Sequence, residues 1–187
     1  MRSLLVTPKF EPPETYAEHI ASRVNPYLND YTHVIIVDAD TKAPKDFYDL
    51  PGLYPSADII APKVIPTSRV YRVWEMLTYW IRLNRLRLRG CAVIYSTDFL
   101  KRVGGYPRVT TPDTWLGSRA VKVAQVQMKV YHKESFNIRH SIATQVRSGK
   151  ARAELKQSLW RVAAHSLFRL RPLVLVVYLY HRTRRKN

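Results

Sequence analysis

The sequence predicts an α/β fold: a single domain with a mixed, mainly parallel sheet flanked by helices, followed by a basic helical tail. Three observations predict it. The run Val34-Ile35-Ile36-Val37 is continuously β-branched and apolar, the pattern of a strand buried on both faces. Short apolar runs alternate along the chain with segments of helical spacing, the order of βαβ units. At 187 residues and 46% hydrophobic composition, the chain is long enough to bury one core and too apolar to stay unfolded.

Each element has its own local reason. Ser3 to Val6 reads as a first strand, stopped by Thr7-Pro8. Glu11-Pro12-Pro13-Glu14 places acids at a helix start, and Ile20, Val24, Tyr27 and Leu28 give Thr15 to Leu28 an apolar stripe. Val34 to Val37 is the buried strand. After Asp40 a turn leads to a short segment around Phe47 to Leu50, and Asp58 to Ile65 reads as a strand. Arg69 to Arg89 has helical spacing, Cys91 to Tyr95 is a strand, and Thr97 to Val103 is a short helix closed by Gly104-Gly105. Thr114 to Ala124 reads as helix and Gln127 to Tyr131 as strand. From Ala151 the chain reads as helix, broken at Pro172. Residues 1–150 are therefore expected to form the main domain and 151–187 a helical basic extension.

Composition narrows the function classes. The net charge of +17 is uneven: Arg82, Arg85, Arg87 and Arg89 fall within eight residues, and Lys150 to Asn187 holds ten Lys or Arg against Glu154 alone. Such a field attracts nucleic acid, anionic lipid or phosphorylated substrates. Cys91 is the single cysteine, so an intramolecular disulfide and a cysteine-rich zinc site are excluded, which suits a reducing compartment. Met1 to Val6 is too short an apolar run for an export signal, and no run of ~18 apolar residues is present. A cytoplasmic protein is expected.

The buried run ends in Asp38-Ala39-Asp40-Thr41. Ligands of open α/β sheets bind beyond the carboxyl ends of strands, and residues two apart on an extended segment share a face. Two carboxylates held there repel, and a hard divalent cation carrying phosphates resolves the conflict. The bland alternative is a polar turn built from ordinary turn residues.

Further along stand Gly90-Cys91-Ala92-Val93-Ile94-Tyr95, then Val103-Gly104-Gly105-Tyr106-Pro107, then Thr111-Pro112-Asp113-Thr114-Trp115-Leu116, and finally Arg139-His140 and Gln145-Val146-Arg147-Ser148-Gly149. In this order, from about Asp30 to Arg152, the set resembles glycosyltransferase family 2, the inverting enzymes of the Rossmann-related GT-A fold. The resemblance implies a hexosyltransferase that uses a nucleotide-sugar donor and Mn²⁺ or Mg²⁺. It places Asp38, Asp40 and His140 at the metal. Pro8, Asp38, Ala39, Asp40, Arg147 and Lys150 fall on the donor side, and Gly104, Gly105, Tyr106 and Trp115 on the acceptor side. Asp113 takes the place of the catalytic base. Pro112 stands where the family has a first acid, which leaves one carboxylate at that point. Only 37 residues precede Asp38. The resemblance is therefore to a compact form with a shortened nucleotide-binding half, as in archaeal or viral versions.

Each assignment has a plainer competitor. Asp113 also suits an N-cap. Arg147 and Lys150, read as part of a glycine-containing loop closing over the donor, also suit a solvated loop. Gly104 and Gly105 suit a helix C-terminus, and Trp115 a core position. Two rival functions remain. A haloacid dehalogenase-type phosphatase would use Asp38 as nucleophile with Lys63 in support, but lacks its final acidic pair. A basic nucleic-acid-binding protein would account for the charge, although no nucleic-acid motif is present. Leu173 to Tyr180, flanked by basic residues, is too short to span a bilayer and suits a helix lying against an anionic membrane, on the inner face if the protein is cytoplasmic. The acceptor, whether glycan, lipid-linked sugar or protein, is not specified.

Overall fold

The computed structural model describes residues 2–8, 13–69, 72, 88, 90–133, 138–168 and 171–184. The chain divides into two compact units, Met1–Arg72 with Leu86–Glu134, and Val73–Arg85 with Ser135–Asn187. The helix expected over Arg69–Arg89 lies almost wholly outside the described residues.

In the first unit the described strands are β1 (Ser3–Val6), β2 (His33–Val37), β3 (Thr41–Lys42), β4 (Ile59–Pro66), β5 (Ala92–Ser96) and β6 (Val123–His132). They form one sheet in the order β1-β2-β5-β4-β6-β3. The helices are α1 (Pro13–Val24), α2 (Leu50–Leu53), α3 (Thr97–Arg102) and α4 (Pro112–Gly117). The mixed α/β architecture is the expected one. The mainly parallel sheet is also the expected one: β1–β2 and β4–β6 pair in parallel, and the antiparallel pairs β2–β5, β4–β5 and β3–β6 leave β1, β2, β4 and β6 running one way with β5 and β3 against them. The central strand β5 runs against both neighbours.

Strand β2 is buried at all five residues. Its alternate side chains feed two cores. Val34 and Ile36 pack with Ile20, Ala21 and Val24 of α1, with Phe99 and Leu100 of α3 and with Leu116 of α4. Ile35 and Val37 pack with Phe47, Leu50, Ile60, Ile94 and Val130. Each such side chain contributes about 1.5–3 kcal/mol when fully buried, so β2 cannot slip register without losing both cores.

Two boundaries differ from expectation. The first helix ends at Val24 and continues as a 3₁₀ turn over Asn25–Tyr27, because Pro26 has no N–H for the α-helical ladder. Tyr27 is consequently exposed while Leu28 is buried. The helix expected to Ala124 stops at Gly117, and β6 already begins at Val123. Buried Asp58 causes the early strand: one carboxylate oxygen accepts from Val121 N at 2.8 Å and Lys122 N at 3.0 Å, drawing that chain alongside β4. The other oxygen accepts from Arg102 Nη2 at 2.7 Å. Burial alone would raise the Asp58 pKa, but these donors together hold it below the ordinary value.

The described helices of the second unit are α5 (Ile138–Glu154), α6 (Leu159–Phe168) and α7 (Pro172–Arg184). The expected break at Pro172 is real, with Pro172 opening α7 where its missing N–H costs nothing. Helix α5 begins well before Ala151, so Arg147 and Lys150 lie on a helix and not in a loop. Gly149, which reads as a loop residue, serves close packing: a Cβ there would sit 2.7 Å from the Val174 carbonyl oxygen and 2.7 Å from Val177 Cβ.

Candidate active site

The turn after β2 is fixed by backbone. Asp38 N–H donates to the Cys91 carbonyl at 2.9 Å, and Thr41 N–H donates to the Asp38 carbonyl at 2.9 Å. Asp38 is half-buried, and the Tyr16 hydroxyl of α1 donates to its Oδ1 at 2.6 Å. Burial raises the Asp38 pKa above the usual carboxylate range; the Tyr16 bond opposes this, the charge of Asp40 adds to it, His132 opposes it and Asp113 adds to it. The Tyr16 phenol is in turn held well above its ordinary value, by burial first and by Asp38 next.

Asp40 is more open, with 43% of its side chain exposed. Its neighbour is His132, placed there by the β3–β6 register in which Thr41 faces His132. His132 Nδ1 lies 3.3 Å from Asp40 Oδ1 and 3.0 Å from Thr41 Oγ1. Sequence reasoning missed both Tyr16 and His132. Tyr16 looks like any helix position, and His132 reaches Asp40 only through a long-range strand pairing. His140 falls in the first turn of α5, and its side chain lies outside the described residues.

Asp113 occupies the first turn of α4, with Thr111 at the N-cap position, so it is not the cap residue itself. Burial raises its pKa, although backbone hydrogen bonds, including those from Thr114 and Gly90, pull the other way. A Cβ on Gly90 would touch Asp113 Cβ, Cγ and Oδ2 at 3.7–3.9 Å, so strand entry and carboxylate pack together. Tyr106 lies close enough to both acids to feel their charges. It is buried, its phenol is raised by burial and then by the charges of Asp113 and Asp38, and its ring meets Tyr95 edge-on at 6.1 Å. Its backbone is clamped by Asn25, whose Oδ1 accepts from Tyr106 N at 2.6 Å. Gly105 serves that clamp: it has φ +99°, and a Cβ would sit 2.9 Å from Asn25 Oδ1.

The remaining expected residues are less central. Pro8 is buried behind β1 and Ala39 is exposed in the turn. Gly104, at φ +87°, is exposed at the C-terminus of α3. Trp115 is half-buried, and the Arg119 guanidinium lies 3.5 Å from its ring centroid, covering one face. Arg147 is half-buried on α5, and burial lowers its pKa. Arg147 and Lys150 belong to the second unit.

Asp40 and His132 set a carboxylate beside an imidazole, a pair of donor types that divalent cations take. Among the described residues no three His, Cys, Asp or Glu side chains already close around one point. Yet adjacent octahedral ligands about 2.1 Å from an ion lie about 3 Å apart, close to the Asp40–His132 separation. The raised affinity of Asp38 for a proton reflects, after burial, the charges of Asp40 and Asp113, and a cation would neutralise both.

No protein-family model matches the sequence, and no curated protein is similar to it in sequence. In structure, a similarity is found. The chain is similar to a mannosyltransferase, PcManGT from Pyrobaculum calidifontis, in complex with GDP-Man and Mn²⁺, at 16% identity and a TM-score of 0.46. The match covers 87% of this chain and 51% of that one, so the chain spans about half the length of that enzyme.

Proposed function

We propose that the chain is a metal-dependent, inverting glycosyltransferase that moves a hexose from a nucleotide-sugar to an acceptor hydroxyl. The observation that supports the reading is the pair Asp38 and Asp40 at the carboxyl end of β2, with Asp113 near enough for its charge to act on Asp38, and with Asp38 and Asp113 both raised by burial. Asp38, Asp40 and His132 are the residues proposed to hold the cation, which when bound would neutralise the leaving diphosphate. Tyr16 orients Asp38. Asp113 takes the acceptor proton: as the acceptor oxygen bonds to the sugar's anomeric carbon, the carbon–phosphate oxygen bond breaks and the diphosphate leaves with the electron pair. A raised pKa makes Asp113 a stronger base than an ordinary carboxylate. Attack opposite the leaving group inverts the anomeric centre. Gly104, Gly105, Tyr106 and Trp115 are proposed to shape the acceptor side, and Pro8 and Ala39 the donor side.

The phosphatase reading finds no support, since the groups that set the proton affinity of Asp38 are Tyr16, Asp40, His132 and Asp113, and Lys63 is exposed. The reading is tested by incubating the protein with Mn²⁺, simple sugar acceptors and UDP-, GDP- and dTDP-sugars, GDP-mannose included, and following the anomeric proton by NMR. An inverted product lost in Asp113→Asn is the expected result. A retained configuration, or undiminished turnover in that variant, would count against it.

A further inference from the structure

The second unit carries features that sugar transfer does not use. In α6, Val162, His165 and Ser166 are buried at helical spacing. The opposite face presents Trp160, 83% exposed, and Leu167, 71% exposed, seven residues apart and so nearly in line along the helix. In α7, Val174 and Tyr178 are buried, while Val176, Leu179 and Tyr180 are exposed at the same i, i+3, i+4 spacing. The Arg184 guanidinium stands 4.6 Å from the Tyr180 ring centroid at the end of that stripe. Single exposed apolar residues need no explanation, but aligned sets on two successive helices do.

We infer that this unit docks on anionic phospholipid membranes through the exposed faces of α6 and α7, lying on the surface without crossing it. Charge complementarity selects the partner: from Lys150 onward the chain has ten Lys or Arg and one acid. Tyr180 with Arg184 at a helix end matches the headgroup layer, where aromatic rings and snorkelling arginines gather. A second copy of the same unit would bring like charge against like. Nucleic acid would use the arginines and stack on Trp160, but would leave Leu167, Val176 and Leu179 without a role. Length excludes a span by α7: its 13 residues reach only about 20 Å against ~30 Å of hydrocarbon. Among the described residues no helix is long and apolar enough to cross a membrane. The inference stands independently of the transferase reading.

The test is co-sedimentation of the full chain with phosphatidylcholine vesicles, with and without phosphatidylglycerol, at low and high salt. Partition onto the anionic vesicles is expected to be at least ~10-fold stronger than onto neutral ones and to weaken with salt. The double variant Trp160→Ser/Leu167→Ser changes only exposed positions, and its fold is checked by circular dichroism; it should lose at least ~10-fold in partition. A chain that stays in the supernatant with anionic vesicles at low salt overturns the inference, as does undiminished partition by the double variant. Binding to a DNA duplex without vesicle binding would assign the surface to nucleic acid instead. A dimer abolished by the double variant, again without vesicle binding, would assign it to self-association.

Discussion

Replacing Tyr16 with phenylalanine removes one oxygen and leaves the ring in place. In the wild type that oxygen donates to Asp38 Oδ1 at 2.6 Å, a short hydrogen bond to an ionisable group in a half-buried site. A hydrogen bond to a charged group contributes about 1.5–3 kcal/mol, against about 0.5–1.5 kcal/mol for a neutral one. Without it, Asp38 keeps only His132 as a favourable neighbour among the groups that act on it, while Asp40 and Asp113 still repel it. At pH 8, without divalent metal, Tyr16→Phe should therefore lose about 1.5–3 kcal/mol in urea denaturation. For a chain of this size that is a fall of about 3–12 °C in Tm. In acid, where Asp38 is protonated in both proteins, the gap should shrink to that of a neutral bond. Mn²⁺ affinity should drop about 10–100-fold, as when a ligand loses the group that orients it. Equal stability at pH 8, or a gap that widens in acid, would refute a charge-assisted Tyr16–Asp38 bond.

Other substitutions probe the remaining links. Asp38 is raised in the folded state, so the apo protein loses stability as pH rises through that folded pKa; Asp38→Asn should melt higher than wild type at neutral pH without metal, an advantage that vanishes below the ordinary carboxylate value. Asp113→Asn should bind donor normally in calorimetry yet turn over at least ~10²-fold more slowly. Asp58 is lowered, so its contribution is present at neutral pH and lost as pH falls through its folded pKa. Asp58→Ala should cost about 1–3 kcal/mol for each backbone amide it orphans, a deficit read by denaturation at pH 7 that narrows in acid. Gly149→Val should cost about 1–3 kcal/mol through overpacking against α7, measured as a Tm drop.

The parts of the fold legible in sequence were those set by local pattern. Val34 to Val37 announced a strand buried on both faces, and both cores prove to be built on its alternate residues. Asp38 and Asp40 followed from that strand's end, and Gly104-Gly105 from the need for positive φ after α3. What escaped depends on contacts distant in sequence. His132 lies beside Asp40 because β3 pairs with β6, and nothing near residue 132 records that pairing. Tyr16 meets Asp38 because α1 packs its Ala17, Ile20, Ala21 and Val24 into the core beside β2, which leaves the neighbouring hydroxyl in reach. The early start of β6 follows from the Asp58 carboxylate across the sheet. Gly149 packs against α7 instead of opening a loop, and a glycine demanded by helix–helix contact looks the same in sequence as a glycine demanded by a turn.

The most direct test of a metal-held donor at the end of β2 is calorimetric titration of nucleotide-sugar into wild type and Asp38→Asn, each with Mn²⁺ and with chelator. Binding of one donor per chain that requires both Mn²⁺ and Asp38 is the predicted result. Donor binding of equal strength in chelator, or in Asp38→Asn, would contradict it.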